Sequence, residues 1–188
     1  MADRDLLPER AAHFTAFATL SLVGVTHALA GEALAGIDGA DPELVAEETL
    51  CLVATATARA ADVGLRDDPT LALAVVPVLL DLPLTYRDYL VGGAMIAQQD
   101  PALLDTNEAV YRRLQRKQAF YTAHLPPGQF PGERLLTDKM GLWMGRISPP
   151  RLPEAPMARL ERLGCVSTLL THLKLVLAFA RRQNVASP

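Results

Sequence analysis

Three Asp-Pro pairs, Asp41-Pro42, Asp68-Pro69 and Asp100-Pro101, punctuate this chain and constrain its fold more than any other feature. An aspartate carboxylate at a helix N-cap accepts a bond from an orphan amide. Proline at the first helical position loses nothing, because its missing N–H had no partner there. Each pair precedes a stretch with helical apolar spacing, so each predicts a helix start.

The segments between them complete the pattern. A first helix is expected from about Pro8 to Ala35, with Phe14, Phe17, Leu20, Val25 and Leu29 giving it more than one apolar face, ending where Gly36 and Gly39 permit a turn. A second, over about 42–63, is rich in alanine and threonine and invites close neighbours. A third starts at Pro69, and Pro77 should kink or end it. The stretch "LPLTYRDYLVGGAMIAQQDP" at 82–101 then reads as a restart. Thr85 and Asp88 have capping-box spacing there, and Leu84 and Tyr89 sit where a hydrophobic staple would. The next helix is expected to begin near Asp105. Residues 125–156 hold seven of the fourteen prolines around a short Trp-bearing helix, "ERLLTDKMGLWMGRI", and read as an ordered arm. A last long helix, about 154–183, keeps Leu160, Leu163, Val166, Leu170, Leu173 and Leu177 at helical spacing.

Composition agrees. Half of the 188 residues are hydrophobic but only 5% aromatic, so alanine, leucine and valine supply the bulk, and alanine and leucine favour helix. The expected fold is therefore all-α: one domain spanning 1–188, a bundle of about six or seven helices with a proline-rich arm before a long C-terminal helix. A mean hydropathy of +0.17 exceeds what a bundle with one polar surface needs, and points to helices buried on several sides or to a self-association surface.

A net charge of −3 gives no field to draw in nucleic acid or an anionic membrane. Cys51 and Cys165 lie far apart in apolar helical patterns, as expected of reduced core thiols in a cytoplasmic protein. Residues 11–31 carry no formal charge, yet acidic residues precede them where a secretory signal needs basic ones. Two histidines, three threonines and a serine make the run a poor membrane span. The expectation is a buried helix, with no membrane partner.

Catalytic signatures are sparse. His13 and His27 share a helix but stand roughly 21 Å apart along it, and Glu32, Glu47, Glu48 and Glu108 show no di-metal spacing, so no metal or cofactor is expected. Ser21 and Ser167 lie in apolar helical runs, where a hydroxyl usually bonds back to a carbonyl one turn earlier. Arg112, Arg113, Arg116 and Lys117, with Tyr111, Phe120 and Tyr121 close by, could grip single-stranded nucleic acid; the acidic overall balance argues for a solvated helix face instead. Gly141 and Gly145 would clear one side of the arm helix for a close contact.

These features lead to a non-catalytic helical interaction module, a homodimer or a subunit of a larger assembly. The alternative is a helical small-ligand protein or enzyme whose pocket lies between the Tyr86, Arg87, Asp88, Tyr89 turn and Trp143, with Arg87 clamping an anion. A third reading is a nucleic-acid-binding subunit that uses the Arg112–Lys117 face.

Overall fold

The computed structural model describes residues 6–98, 102–150, 152 and 154–185, with side-chain surroundings given outside 87–107 and 184–185. Among them are seven helices and no strand: α1 (Leu7–Gly36), α2 (Pro42–Gly64), α3 (Pro69–Gln98), α4 (Ala102–His124), α5 (Glu133–Ile147), α6 (Pro156–Leu163) and α7 (Cys165–Val185). The fold is the expected all-α bundle.

Two Asp-Pro starts do what their chemistry predicts. Asp41 accepts from the amides of Glu43 at 2.9 Å and Leu44 at 3.3 Å. Asp68 accepts from the amide of Leu71 at 3.0 Å with one oxygen and from Arg10 at 2.7 Å with the other. Arg10 also donates to the Gln183 carbonyl at 3.1 Å, so it ties the starts of α1 and α3 to the end of α7. Asp100-Pro101 lies outside the described residues, and α4 is already helical at Ala102, ahead of the expected start near Asp105.

α2 is the hub, packed by α1, α3, α4, α5 and α7. Every residue from Cys51 to Ala61 is buried. Small side chains make that possible: Ala54, Ala56, Ala58, Ala60 and Ala61 let neighbours close in. The threonines satisfy their own hydroxyls, Thr49 on the Val45 carbonyl at 2.6 Å and Thr55 on the Cys51 carbonyl at 2.8 Å. At its end, Gly64 meets the Ala180 side chain and the Leu177 carbonyl of α7 so closely that a Cβ has no room.

Two further helix boundaries differ from expectation. α3 runs unbroken through both Pro77 and Pro83, so there is no restart at Thr85 and no free N-terminus for a Thr85–Asp88 capping box. Packing on α1, α2 and α4 outweighs the lost backbone bonds. Pro77 faces solvent, where water can take up the Leu73 carbonyl it leaves free, and at the neighbouring Leu80 carbonyl the Gln118 side chain of α4 ties α3 to α4 beside the buried Pro83. Conversely, the last helix is broken. Gly164 adopts φ 66, ψ 11 and ends α6, and α7 leaves at a bend of 63°. The left-handed conformation is cheap only for glycine.

The arm is anchored at both ends. Arg59, buried in α2, donates to the Leu125 carbonyl at 2.8 Å, and Asp62 accepts from the Gly128 amide at 2.8 Å. On the far side, Gly141 gives room to Met157 of α6, where a Cβ would clash, whereas at Gly145 a Cβ would make only ordinary contact with Pro156, so one glycine of the pair is needed to clear the face. Gly64→Ala should destabilise the fold by about 1–3 kcal/mol, because overpacking forces α2 and α7 apart; the unfolding midpoint in urea reports it.

Candidate functional site

Two buried polar centres lie on α2 among the described residues, while the buried Arg159 of α6 bonds separately to Ser148 and the Glu154 carbonyl. The first joins α2, α4 and α5. Glu48 is 1% exposed. Its carboxylate accepts from Arg146 at 2.8 and 2.7 Å and from the Tyr121 hydroxyl at 2.7 Å, with the Lys117 ammonium 3.7 Å away. The preceding residue, Glu47, accepts from Arg113 and from Lys117, the latter at 2.7 Å, and Glu43, one turn earlier, takes a further bond from Arg113. Burial alone would raise the Glu47 carboxyl, but the bonds from Arg113 and Lys117 outweigh it and hold it below the usual carboxylate range. Burial, with the Glu48 charge second, pushes the Tyr121 hydroxyl up and the Cys51 thiol up to about 12, so both stay protonated. Arg146 also lies over the Phe120 ring, 4.4 Å from its centre, and the Trp143 indole donates to Thr49 at 3.2 Å.

Three carboxylates face three cations here, and the central carboxylate is enclosed and saturated. Such a centre clamps the arm onto the hub, with Glu48 sealed from solvent and only Glu43 at its open edge. Removing one member strands the others, and breaking a buried pair costs about 3–5 kcal/mol. Glu48→Ala should therefore cost roughly 3 kcal/mol and, in hydrogen exchange, deprotect α5 before the rest of the bundle.

The second place joins α1, α2 and α7. His172, 4% exposed, meets the Ser21 hydroxyl through Nδ1 at 2.8 Å and the Thr57 hydroxyl through Nε2 at 2.8 Å. A serine within reach of a histidine has the distance of a nucleophile–base pair. The third partner, however, is a hydroxyl with no charge to stabilise an imidazolium. Burial lowers the His172 pKa from 6.5 to about 4, so the ring is neutral at pH 7 and acts as a three-helix tie. Ser21 thus bonds across the bundle and not, as expected, to its own helix; Ser167 does bond back, to the Gly164 carbonyl at 2.9 Å.

The sign of the pH effect follows. Above pH 6.5 the imidazole is neutral in both folded and unfolded chains, and the tie costs nothing. As pH falls from 6.5 toward 4 only the unfolded chain takes up the proton, so stability is lost across that window. The loss between pH 7 and pH 5 should be about 2 kcal/mol. Urea unfolding at half-unit pH steps measures it, and His172→Gln should flatten the slope.

The residues singled out by the sequence are dispersed. Tyr86 is 47% exposed on α3, whereas Trp143 is enclosed on α5, so the two do not line one open wall. Arg87, Asp88 and Tyr89 belong to α3, with side chains outside the described set. The basic face divides: Arg113 and Lys117 are spent on Glu43, Glu47 and Glu48, while Arg112, paired with Glu108 at 2.8 Å, and Arg116 remain exposed. An open trough of about 900 Å³ runs between α3 and α4, bounded by Pro77, Val78, Asp81, Leu84, Ala119 and Thr122. No set of three His, Cys, Asp or Glu side chains converges as metal ligands among the described residues. Cys51 and Cys165 are both free and buried.

The remaining anomaly is a surface. Every solvent-exposed residue of α1 from Ala12 to Ala35 lacks a formal charge, and among them are Leu20 at 75%, Val23 at 41% and Leu34 at 40% exposure. α1 and the Pro69–Tyr86 part of α3 are each long and apolar enough to cross a membrane by length and composition. No protein-family model, curated protein or solved structure matches this chain.

Proposed function

We propose that this chain is a non-catalytic helical interaction module that works as a self-associating subunit. One observation carries the proposal: the outer face of α1, some 24 residues and roughly 35 Å long, is uncharged and apolar where a solvated helix carries charge. Helices that are apolar on all sides are ordinarily covered on all sides. The core covers the inner side of α1, through Phe14, Ala18, Leu22, Val25 and Leu29; the outer side calls for a partner. The His172 centre fits the same reading, since it ties α1 to the hub through Ser21 and Thr57 and thereby holds the outer face in place. Rigid presentation lowers the cost of association.

Light scattering on the eluting peak of a sizing column, at tens of micromolar chain, tests this. The expected mass is at least twice the 20.3 kDa of one chain. A single peak at 20.3 kDa, with no partner recovered on a tagged chain, would overturn it.

A further inference from the structure

We propose that the occupant of the α1 face is a second copy of the chain, laid antiparallel about a two-fold axis at Leu20. This rests on the self-association just argued and specifies its geometry. Although the exposed Val23 falls opposite the partly buried Phe17, four pairs of outward residues of α1 and its N-cap repeat in type on either side of Leu20: Leu6 and Leu34, Ala12 and Ala28, His13 and His27, Ala16 and Gly24 each stand equidistant from it. All members of these four pairs, and Leu20 itself, are exposed. A two-fold interface presents one patch to itself, so residue i meets j and j meets i. With the axis at Leu20, leucine meets leucine at both ends and histidine meets histidine. The small residues Ala16 and Gly24 face each other on both sides of the central Leu20 pair.

Three further observations select this occupant. Glu9 of one copy falls opposite Gly31 of the other, whereas a parallel pair would set Glu9 against Glu9 with like charges in contact. A Cβ placed on Gly24 or Gly31 meets nothing within 4 Å, so the room left there is usable only from outside the chain. The area is also sufficient. Phe179 of α7 stacks on Phe17 and His172 reaches Ser21, which places Leu175, 55% exposed, beside the Ala16–Leu20 turn. Leu6, Leu20, Val23, Leu34 and Leu175 leave roughly 400 Å² of apolar side chain uncovered. The intervening alanines, glycines and histidines carry the patch toward the roughly 800 Å² that one partner contributes to a standard interface.

The experiment uses the full chain and four variants. Leu20→Cys, oxidised with copper-phenanthroline, should give a disulfide-linked dimer in high yield, because the axis brings residue 20 against its own copy. Leu34→Cys alone should stay unlinked; efficient linking there would mean a parallel pair and overturn the geometry. Leu20→Glu should weaken the dimer at least 100-fold in sedimentation equilibrium, with circular dichroism unchanged, while Leu73→Glu, on an exposed site of α3, should leave it intact. A dimer that survives Leu20→Glu would keep the self-association and refute this surface. A chain that is monomeric without lipid, and floats with phosphatidylcholine vesicles only while Leu20 is intact, would assign the face to lipid and overturn both proposals. A monomer that ignores vesicles would overturn both as well.

Discussion

The enclosure of α2 governs this molecule. Beyond its exposed first turn, a helix surrounded by five others has little solvent-facing side on which to place polar groups, and none from Cys51 to Ala61, so each polar atom buried there needs a partner inside the protein. Thr49 and Thr55 solve this within the helix by bonding to carbonyls one turn back. Thr57 borrows His172 from α7, and Arg59 takes the carbonyl at the start of the arm. Glu48 is the costliest case, a carboxylate at 1% exposure. It requires an arginine from α5, a tyrosine from α4 and the nearby ammonium of Lys117 to stay there. Desolvation consumes most of what such a cluster gains, so its value lies less in net stability than in fixing which helices go where. Hydrophobic contacts alone would let an alanine-rich hub slide along its neighbours; a saturated carboxylate does not.

That division explains what the chain discloses in one dimension. Local chemistry was legible: the Asp41 cap and the Asp68 start follow from side chains that act on their own backbone, and the arm helix over 133–147, which has no side-chain cap, lies between the proline-rich stretches that bound it. Propensity misled where packing overrides it. Pro77 and Pro83 read as stops, yet α3 passes through both because α1, α2 and α4 hold its flanks. Gly164 was the reverse case, one residue inside a convincing apolar repeat, and its left-handed backbone splits the last helix in two.

The polar centres were illegible for a different reason. Ser21 and His172 lie 151 positions apart, and Glu48 and Arg146 lie 98 apart, so nothing in local spacing marks them as partners. The basic cluster on α4 looked like a ligand face because four cations fall within six residues. Only their tertiary placement separates Arg113 and Lys117, which neutralise the hub, from Arg112 and Arg116, which meet water. The same limit applied to Tyr86 and Trp143, whose types suggested a shared wall and whose positions differ by the whole contrast between surface and core.

α1 shows why the apolar excess of the chain is not simply core. Its inner residues join the hub, and Ser21 on its flank reaches His172, so the helix is held in place without help from its outer side. The outer residues are therefore free of any folding requirement that would make them apolar; polar residues there would leave the core unchanged and improve solubility. A surface kept apolar against that simple alternative has its reason outside the folded chain. The symmetric arrangement of leucine, histidine and small residues about Leu20 then bears on the partner, because a lipid surface has no use for a pattern that repeats about a point, and a second copy does.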